Sequence, residues 1–144
     1  MSYIESKIAL FNCETTKQIQ EVVLSKQKCL NPQTSQINKL INAQSLLIAG
    51  TEDCLLKFVD LKSNKVVMTV VGHADSVSCL QIISNNLVVS GGHDGSVRMW
   101  DLRNFKLIND QACHRRKYDE GTLCLAYTPG FLASGGADSI TKLI

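Results

Sequence analysis

The 144-residue chain has no apolar run that approaches the roughly 18 residues of a membrane-spanning helix. Its first residues, Met1 to Glu5, lack both the basic start and the apolar stretch of a secretory signal. A strong charge imbalance is also missing, because the net charge is +2 and the pI is near 8.2. An obligate nucleic-acid or anionic-membrane partner is therefore not expected. These absences predict a cytoplasmic protein without a membrane span.

Closely spaced cysteines are absent as well. No C-x-x-C pair and no regular ligand spacing occurs, which disfavours a zinc site. Cys79 and Cys124 lie in apolar alternation, where a free thiol packs as a small hydrophobe. We therefore expect reduced, structural thiols, no metal and no cofactor. The cysteines are Cys13, Cys29, Cys54, Cys79, Cys113 and Cys124.

The chain does contain an internal repeat. Residues 72–101 read GHADSVSCLQIISNNLVVSGGHDGSVRMWD, from Gly-His to Trp-Asp. Residues 46–50 overlay 87–91 at an offset of 41, and residues 131–138 match at an offset of 44. Repeats of this form, about 40–45 residues long, are WD repeats, and each builds one four-stranded propeller blade. Aromatic residues make up only 6% of the chain, which suits strands rich in valine, isoleucine and leucine.

The repeats divide the chain into blades and predict an all-β, WD-repeat propeller that is incomplete, with about three blades and part of a fourth. No stretch shows helical periodicity. Residues 25–35 are polar around Asn31-Pro32 and are predicted to form a loop. The predicted units are the end of an incomplete blade at 1–24, a degenerate blade at 36–71, a WD blade at 72–112, and a terminal blade lacking its outer strand at 113–144.

Four polar residues of the central blade are candidates for a structural tetrad. By resemblance to WD repeats, a hydrogen-bonded set inside the blade is expected from His73, Ser90, Asp94 and Trp100. Indole donates only through its N–H, a serine hydroxyl both donates and accepts, and a carboxylate can hold an imidazole. Asp94-Gly95 is predicted to form the tight turn between two strands, because glycine tolerates the positive φ of such turns.

The other blades contain fewer of the four tetrad residues. In the terminal blade His114, Ser134 and Asp138 can take three of the roles, but Ile144 stands at the tryptophan position and cannot donate a hydrogen bond. In the degenerate blade Ala49 and Val59 occupy the serine and tryptophan positions. Apolar packing, and not a hydrogen-bonded tetrad, is therefore expected to stabilise the degenerate blade.

The serine, histidine and aspartate of the central blade also permit a second interpretation, a hydrolase triad. No nucleophile elbow of the form G-x-S-x-G surrounds Ser90. Each of these residues already has a place in the blade. We therefore predict no enzyme activity and no catalytic residues.

A charged loop follows the central blade. It contains the candidate partner-binding residues, which are Arg115, Arg116, Lys117, Tyr118 and Asp119. A solvated charged loop, a nucleic-acid patch and a protein-binding loop are the alternatives. Nucleic acid is disfavoured, because a basic stripe should extend beyond one loop and lack adjacent acids. Arginine and tyrosine are common anchors at protein interfaces.

Three motifs together resemble the C-terminal propeller of the striatin family. They are residues 92–100, 114–120 and 134–138, which read GHDGSVRMW, HRRKYDE and SGGAD. The resemblance covers residues 70–144 well and residues 1–69 only as general WD sequence. It implies a regulatory and scaffold subunit that links a type 2A protein phosphatase with kinases of the germinal-centre group. The alternative is a WD-repeat adaptor of another complex, such as a ubiquitin-ligase receptor or an RNA-processing assembly.

The number of blades leaves the ring open. Propellers close with about four to eight blades, and the predicted count is about 13 strands. Three explanations remain: the chain is a piece of a longer propeller, a second copy or another chain supplies the missing blades, or the blades form an open stack. Exposed sheet edges would then favour self-association.

Overall fold

The computed structural model describes residues 3–11, 14–15, 17–28, 36–115 and 121–144, and those residues form four antiparallel sheets without a helix. The all-β, incomplete WD-propeller fold predicted from the repeats is confirmed. The first sheet pairs β1 (Tyr3–Phe11) with β2 (Gln18–Lys28). Residues 25–28 continue β2, although the polar sequence predicted a loop there. The extension arises because β1 begins at Tyr3 and supplies a pairing partner as far as Lys28.

The second sheet has four strands in sequence order. They are β3 (Ile37–Ala43), β4 (Leu46–Thr51), β5 (Leu55–Asp60) and β6 (Lys65–Val71). Strand β4 is buried along nearly its whole length and β6 is largely exposed. A strand covered on both faces needs apolar residues at consecutive positions, and Leu46-Leu47-Ile48-Ala49 provides them.

The third sheet repeats this order, and the fourth has three strands. The third contains β7 (Val77–Ser84), β8 (Leu87–Gly92), β9 (Ser96–Asp101) and β10 (Lys106–Ala112). The fourth contains β11 (Thr122–Thr128), β12 (Phe131–Gly136) and β13 (Thr141–Leu143). All seven residues of β10 are exposed, as are all three of β13.

Three apolar clusters lie between neighbouring sheets and stack them. Successive residues of one strand point to opposite faces, so Leu47 packs toward β1 and β2, whereas Ile48 packs toward the third sheet. The central cluster joins Ile48 and Phe58 to Val88 and Trp100. Val89 belongs to the third cluster, which joins the third sheet to Leu132 of the fourth sheet. Each sheet therefore shares apolar cores with its neighbours, as blades of a propeller do.

Candidate functional site

The loops that join successive sheets meet the turns inside the sheets at one end of the stack, called here the loop end. The N–H groups of Gly72 and His73 donate to Cys54 O at 2.8 and 3.2 Å. One blade further on, the N–H groups of Cys113 and His114 donate to Gly95 O at 3.0 and 2.8 Å. The same backbone contact is thus made in two successive blades, and it fixes each histidine at the loop end.

The turn at Gly95 requires glycine on two grounds. Its φ is +77°, in the left-handed region that disfavours residues with a side chain. A Cβ at this position would also lie 2.3 Å from His114 O. The glycine therefore allows the joining loop to approach the turn closely.

The four candidate residues of the central blade lie in one chain of hydrogen bonds. Trp100 Nε1–H donates to Ser90 Oγ at 2.9 Å, and Ser90 Oγ lies 2.7 Å from His73 Nε2. His73 Nδ1 lies 3.0 Å from Asp94 Oδ1. Since indole can only donate, Ser90 Oγ accepts from Trp100, and the Ser90 hydroxyl is assigned as the donor to His73 Nε2. This assignment leaves Nδ1–H to donate to the carboxylate.

Asp94 receives more donors than the sequence suggested. The Ser96 hydroxyl donates to Oδ1 at 2.6 Å, and the N–H groups of Ala74 and Ser96 donate at 2.8 and 3.0 Å. Burial raises the pKa of Asp94, but the hydrogen bonds from His73, Ser96 and Ala74 outweigh it, so the pKa lies below its ordinary value. Ser96 was missed from sequence, although a serine two residues after the turn aspartate is placed to bind it.

The terminal blade brings together three of its four candidates. His114 Nε2 lies 3.0 Å from Ser134 Oγ, and His114 Nδ1 lies 3.0 Å from Asp138 Oδ1. Burial raises the pKa of Asp138, but N–H donation from Ile140 and Arg115 and the contact with His114 lower it overall. Ile144 is exposed, and its side chain adds no donor, although its N–H donates to Leu132 O at 2.7 Å.

The charged loop is described only at its first residue. The Arg115 N–H donates to Asp138 Oδ2 at 3.3 Å, and the residue is exposed. The other candidates for partner binding, Arg116, Lys117, Tyr118 and Asp119, lie outside the described residues.

Two side chains that the sequence did not single out connect the first strands of successive sheets. These strands are β3, β7 and β11, which contact one another in that order and are called here the inner strands. Asn38 Nδ2–H donates to Val77 O at 3.0 Å, and the Ser78 hydroxyl contacts Thr122 O. Both donors sit at the irregularity in the pairing of an inner strand with its neighbour. The acceptors occupy matching positions at the starts of β7 and β11. The sequence offered one signal for these bonds. Asn38 and Ser78 each directly follow the apolar residue that begins an inner strand.

Four cysteines are described, and all have free thiols. Burial raises the pKa of the Cys54, Cys79 and Cys113 thiols, which keeps them protonated and less reactive. Cys13 and Cys29 lie outside the described residues. Within the described part of the chain, no group of three or more potential ligands could hold a metal ion.

The repeated sheets and loop contacts define a stretch of WD-repeat propeller, and comparison with known proteins agrees. The family model "WD domain, G-beta repeat" matches residues 64–101. The solved structure of the Mitotic Checkpoint Complex superimposes with a TM-score of 0.76 at 20% identity, covering 99% of this chain and 41% of that one. At this identity the likeness shows the fold alone.

The chain is also similar in sequence to curated striatins. The chain is 39% identical to "Striatin homolog" of Dictyostelium discoideum over 150 residues and 32% identical to "Striatin" of Homo sapiens over 147 residues. Each match covers 99% of this chain but only 18% and 19% of the respective relative. The resemblance to striatins is thereby confirmed, and the chain is a striatin-like stretch of WD repeats. It spans about a fifth of the length of those relatives.

Proposed function

We propose that the chain is a non-catalytic scaffold that docks other proteins on the loop end of its blades. The observation that carries the proposal is that the four polar residues of the central blade already bond to one another. Ser90 is fully buried, its oxygen is engaged by Trp100, and His73 and Asp94 are engaged with each other. A nucleophilic serine needs access to substrate, so this arrangement favours a structural role.

The docking surface is proposed to include Arg115, Arg116, Lys117, Tyr118 and Asp119. Arg115 is exposed at the loop end, and its N–H is held by Asp138 of the terminal blade. A loop that is anchored at its start can present side chains with less loss of conformational freedom on binding. Positive charge in this segment favours an acidic partner surface.

Partners are proposed from the striatin relationship. Striatins, by the resemblance, hold a type 2A protein phosphatase together with germinal-centre kinases, and the proposed role here is a part of such signalling assemblies in the cytoplasm. A ubiquitin-ligase or RNA-processing adaptor is the second candidate, because it would use the same WD fold. No helix in the described part of the chain is both long and apolar enough to cross a membrane.

Affinity purification of the tagged chain from cells, followed by mass spectrometry, separates the two candidates. We expect phosphatase subunits and kinases among the proteins enriched over an unrelated WD-repeat bait. Enrichment of ubiquitin-ligase or RNA-processing components instead would support the second candidate. Enrichment of no protein at all over the bait would contradict a scaffold role.

A further inference from the structure

A polar cavity of about 420 Å³ opens between the inner strands at the loop end. Its wall is built from three repeat positions in two successive sheets: the residues before the inner strand, Gln36 and Ser76; the second strand residues, Asn38 and Ser78; and the turn residues, Glu52 and His93. Leu123 of β11 completes the lining. Sites for small ligands and side chains commonly enclose about 300–1,000 Å³.

The backbone holds this wall in place. Glu52 N–H donates to Gln36 O at 2.9 Å, and His93 N–H donates to Ser76 O at 2.9 Å. The turn residue of each sheet is thus fixed to the start of its own inner strand. The repeat geometry therefore fixes the backbone of this part of the cavity wall.

Some of the lining side chains serve the scaffold. Asn38 and Ser78 bond to the backbone of the next inner strand, and the Ser76 hydroxyl lies 3.1 Å from His93 Nδ1. No other described residue bonds to the Glu52 carboxylate, the Gln36 carboxamide or His93 Nε2. Within the described part of the chain, these three groups are therefore open to a ligand.

The chemistry of the available groups favours a cation with several N–H donors. Glu52 carries the one formal charge in the lining. The Gln36 carbonyl accepts hydrogen bonds, and so does His93 Nε2 when Nδ1 carries the ring proton. A guanidinium presents five N–H donors in a planar fork. Its aliphatic stem can pack on an apolar side chain, which Leu123 provides.

We propose that this cavity binds an arginine side chain presented by a partner protein. The inference rests on the proposed docking function and names the chemistry that one part of the docking surface recognises. Glu52 supplies the charge, and Gln36 and His93 orient the guanidinium.

A defined peptide tests the inference. The probe is acetyl-Gly-Ser-Gly-Arg-Gly-Ser-Gly-amide, titrated into the ¹⁵N-labelled chain and followed by NMR, with peptides carrying citrulline or lysine in place of arginine as comparisons. We expect saturable shifts of the Glu52 and His93 amides, binding at least about tenfold weaker with citrulline, and weaker binding with lysine. Equal binding of the citrulline peptide, or no shifts at millimolar arginine peptide, would overturn the inference.

Two variants test whether the arginine peptide binds in the cavity. Glu52→Gln should weaken arginine-peptide binding at least about fivefold without lowering Tm, because the Glu52 side chain is exposed and bonds to no other described residue. The matched control is Glu21→Gln on β2, where the carboxylate forms an exposed ion pair with Lys7 and lies outside the cavity lining. Equal affinity of Glu52→Gln and wild type would place the peptide elsewhere.

The two proposals fail separately. If the arginine peptide does not bind but partners still co-purify with the chain, only the cavity inference is wrong. If the peptide binds in a Glu52-dependent way and no partner co-purifies, the scaffold proposal is wrong and the cavity stands.

Discussion

At the scale of single residues, the central blade depends on a buried serine hydroxyl. Ser90 Oγ accepts from Trp100 and contacts His73, so one oxygen satisfies two large side chains. A buried polar chain stabilises a fold only when each member has a partner. The terminal blade has the shorter version, in which Ser134 contacts His114 and the Cys113 thiol and no indole donates to it. The two serines therefore offer a matched comparison.

Ser90→Ala is expected to cost about 2–3 kcal/mol of the free energy of unfolding, because it leaves a buried indole N–H and an imidazole nitrogen without partners. Ser134→Ala should cost about 1 kcal/mol, since it leaves one imidazole nitrogen without a partner and otherwise removes only a weak hydrogen bond with the Cys113 thiol. Urea denaturation of both variants measures the difference. A Ser90→Ala cost no larger than that of Ser134→Ala would show that the tetrad does not stabilise the blade.

Asp94 makes the stability of the same network depend on pH. Its folded-state pKa is below the ordinary value, so its stabilising contribution is present above the unfolded pKa of about 4 and is lost as pH falls toward the folded pKa. Wild type should lose stability from about pH 4 downward, and Asp94→Asn should show a shallower decline from a lower starting point. Thermal melts between pH 2 and pH 7 provide the test. Parallel profiles for the two proteins would contradict it.

At the scale of elements, Arg98 joins β9 to two neighbours. Its Nη1–H donates to Gly72 O at 2.8 Å, and its Nη2 lies 3.0 Å from Asp110 Oδ2. These contacts tie the third strand of the blade to the outermost strand and to the loop that enters the blade. The Arg98 side chain is largely buried, whereas Asp110 is 44% exposed, so the contact with Gly72 O is the better sheltered of the two.

Arg98→Ala should lower stability by about 1–3 kcal/mol, because it removes a charge-assisted hydrogen bond and leaves a carbonyl unpaired. Arg103→Ala is the comparison: the Arg103 side chain is 71% exposed, and its buried partner Asp101 keeps the hydrogen bond from the Arg103 N–H, so the loss should be about 0–1 kcal/mol. Differential scanning calorimetry distinguishes them. Similar Tm values for the two variants would sink the idea that Arg98 joins these elements.

Strand positions were largely predictable from sequence because residues that face a core on both sides must be consecutively apolar. Leu46 to Ala49 and Leu87 to Val89 meet that condition, and both stretches are strands. Strand β2 was predicted too short, since pairing with β1 extends it through polar residues. The bonds of Asn38 and Ser78 could not be foreseen, because they join strands about 40 residues apart through carbonyls of the next sheet.

At the scale of the whole molecule, stability comes from contacts between neighbouring sheets. Such stacks behave approximately as a line of units with nearest-neighbour interfaces. Among the described sheets, the fourth packs against the third alone, and large apolar residues on it are exposed, with Phe131 at 63% and Leu143 at 74%. Strand β13 likewise pairs with β12 and with no other described strand. This sheet is therefore where the chain is expected to associate with other molecules nonspecifically.

The double variant Phe131→Ser, Leu143→Lys should reduce self-association, since it removes exposed apolar area and places a charge on an edge strand. Light scattering over a concentration series should show a lower mean mass for the variant than for wild type. A matched double variant on the exposed β10, Leu107→Ser with Ile108→Lys, tests whether removing any exposed apolar surface is enough to reduce self-association. Equal masses for wild type and the first variant would contradict the expectation.

The central claim is that the loop end of stacked WD blades docks proteins. It is tested most directly by the affinity of the purified chain for a co-purified partner before and after Arg115→Glu. Arg115 is exposed and bonds to Asp138 through its backbone, so the change should leave Tm unaltered while weakening binding at least about fivefold through charge reversal. Lys62→Glu, in the turn at the opposite end of a blade, should bind like wild type. Unchanged affinity of Arg115→Glu would mean that Arg115 is solvated and that docking does not use this loop.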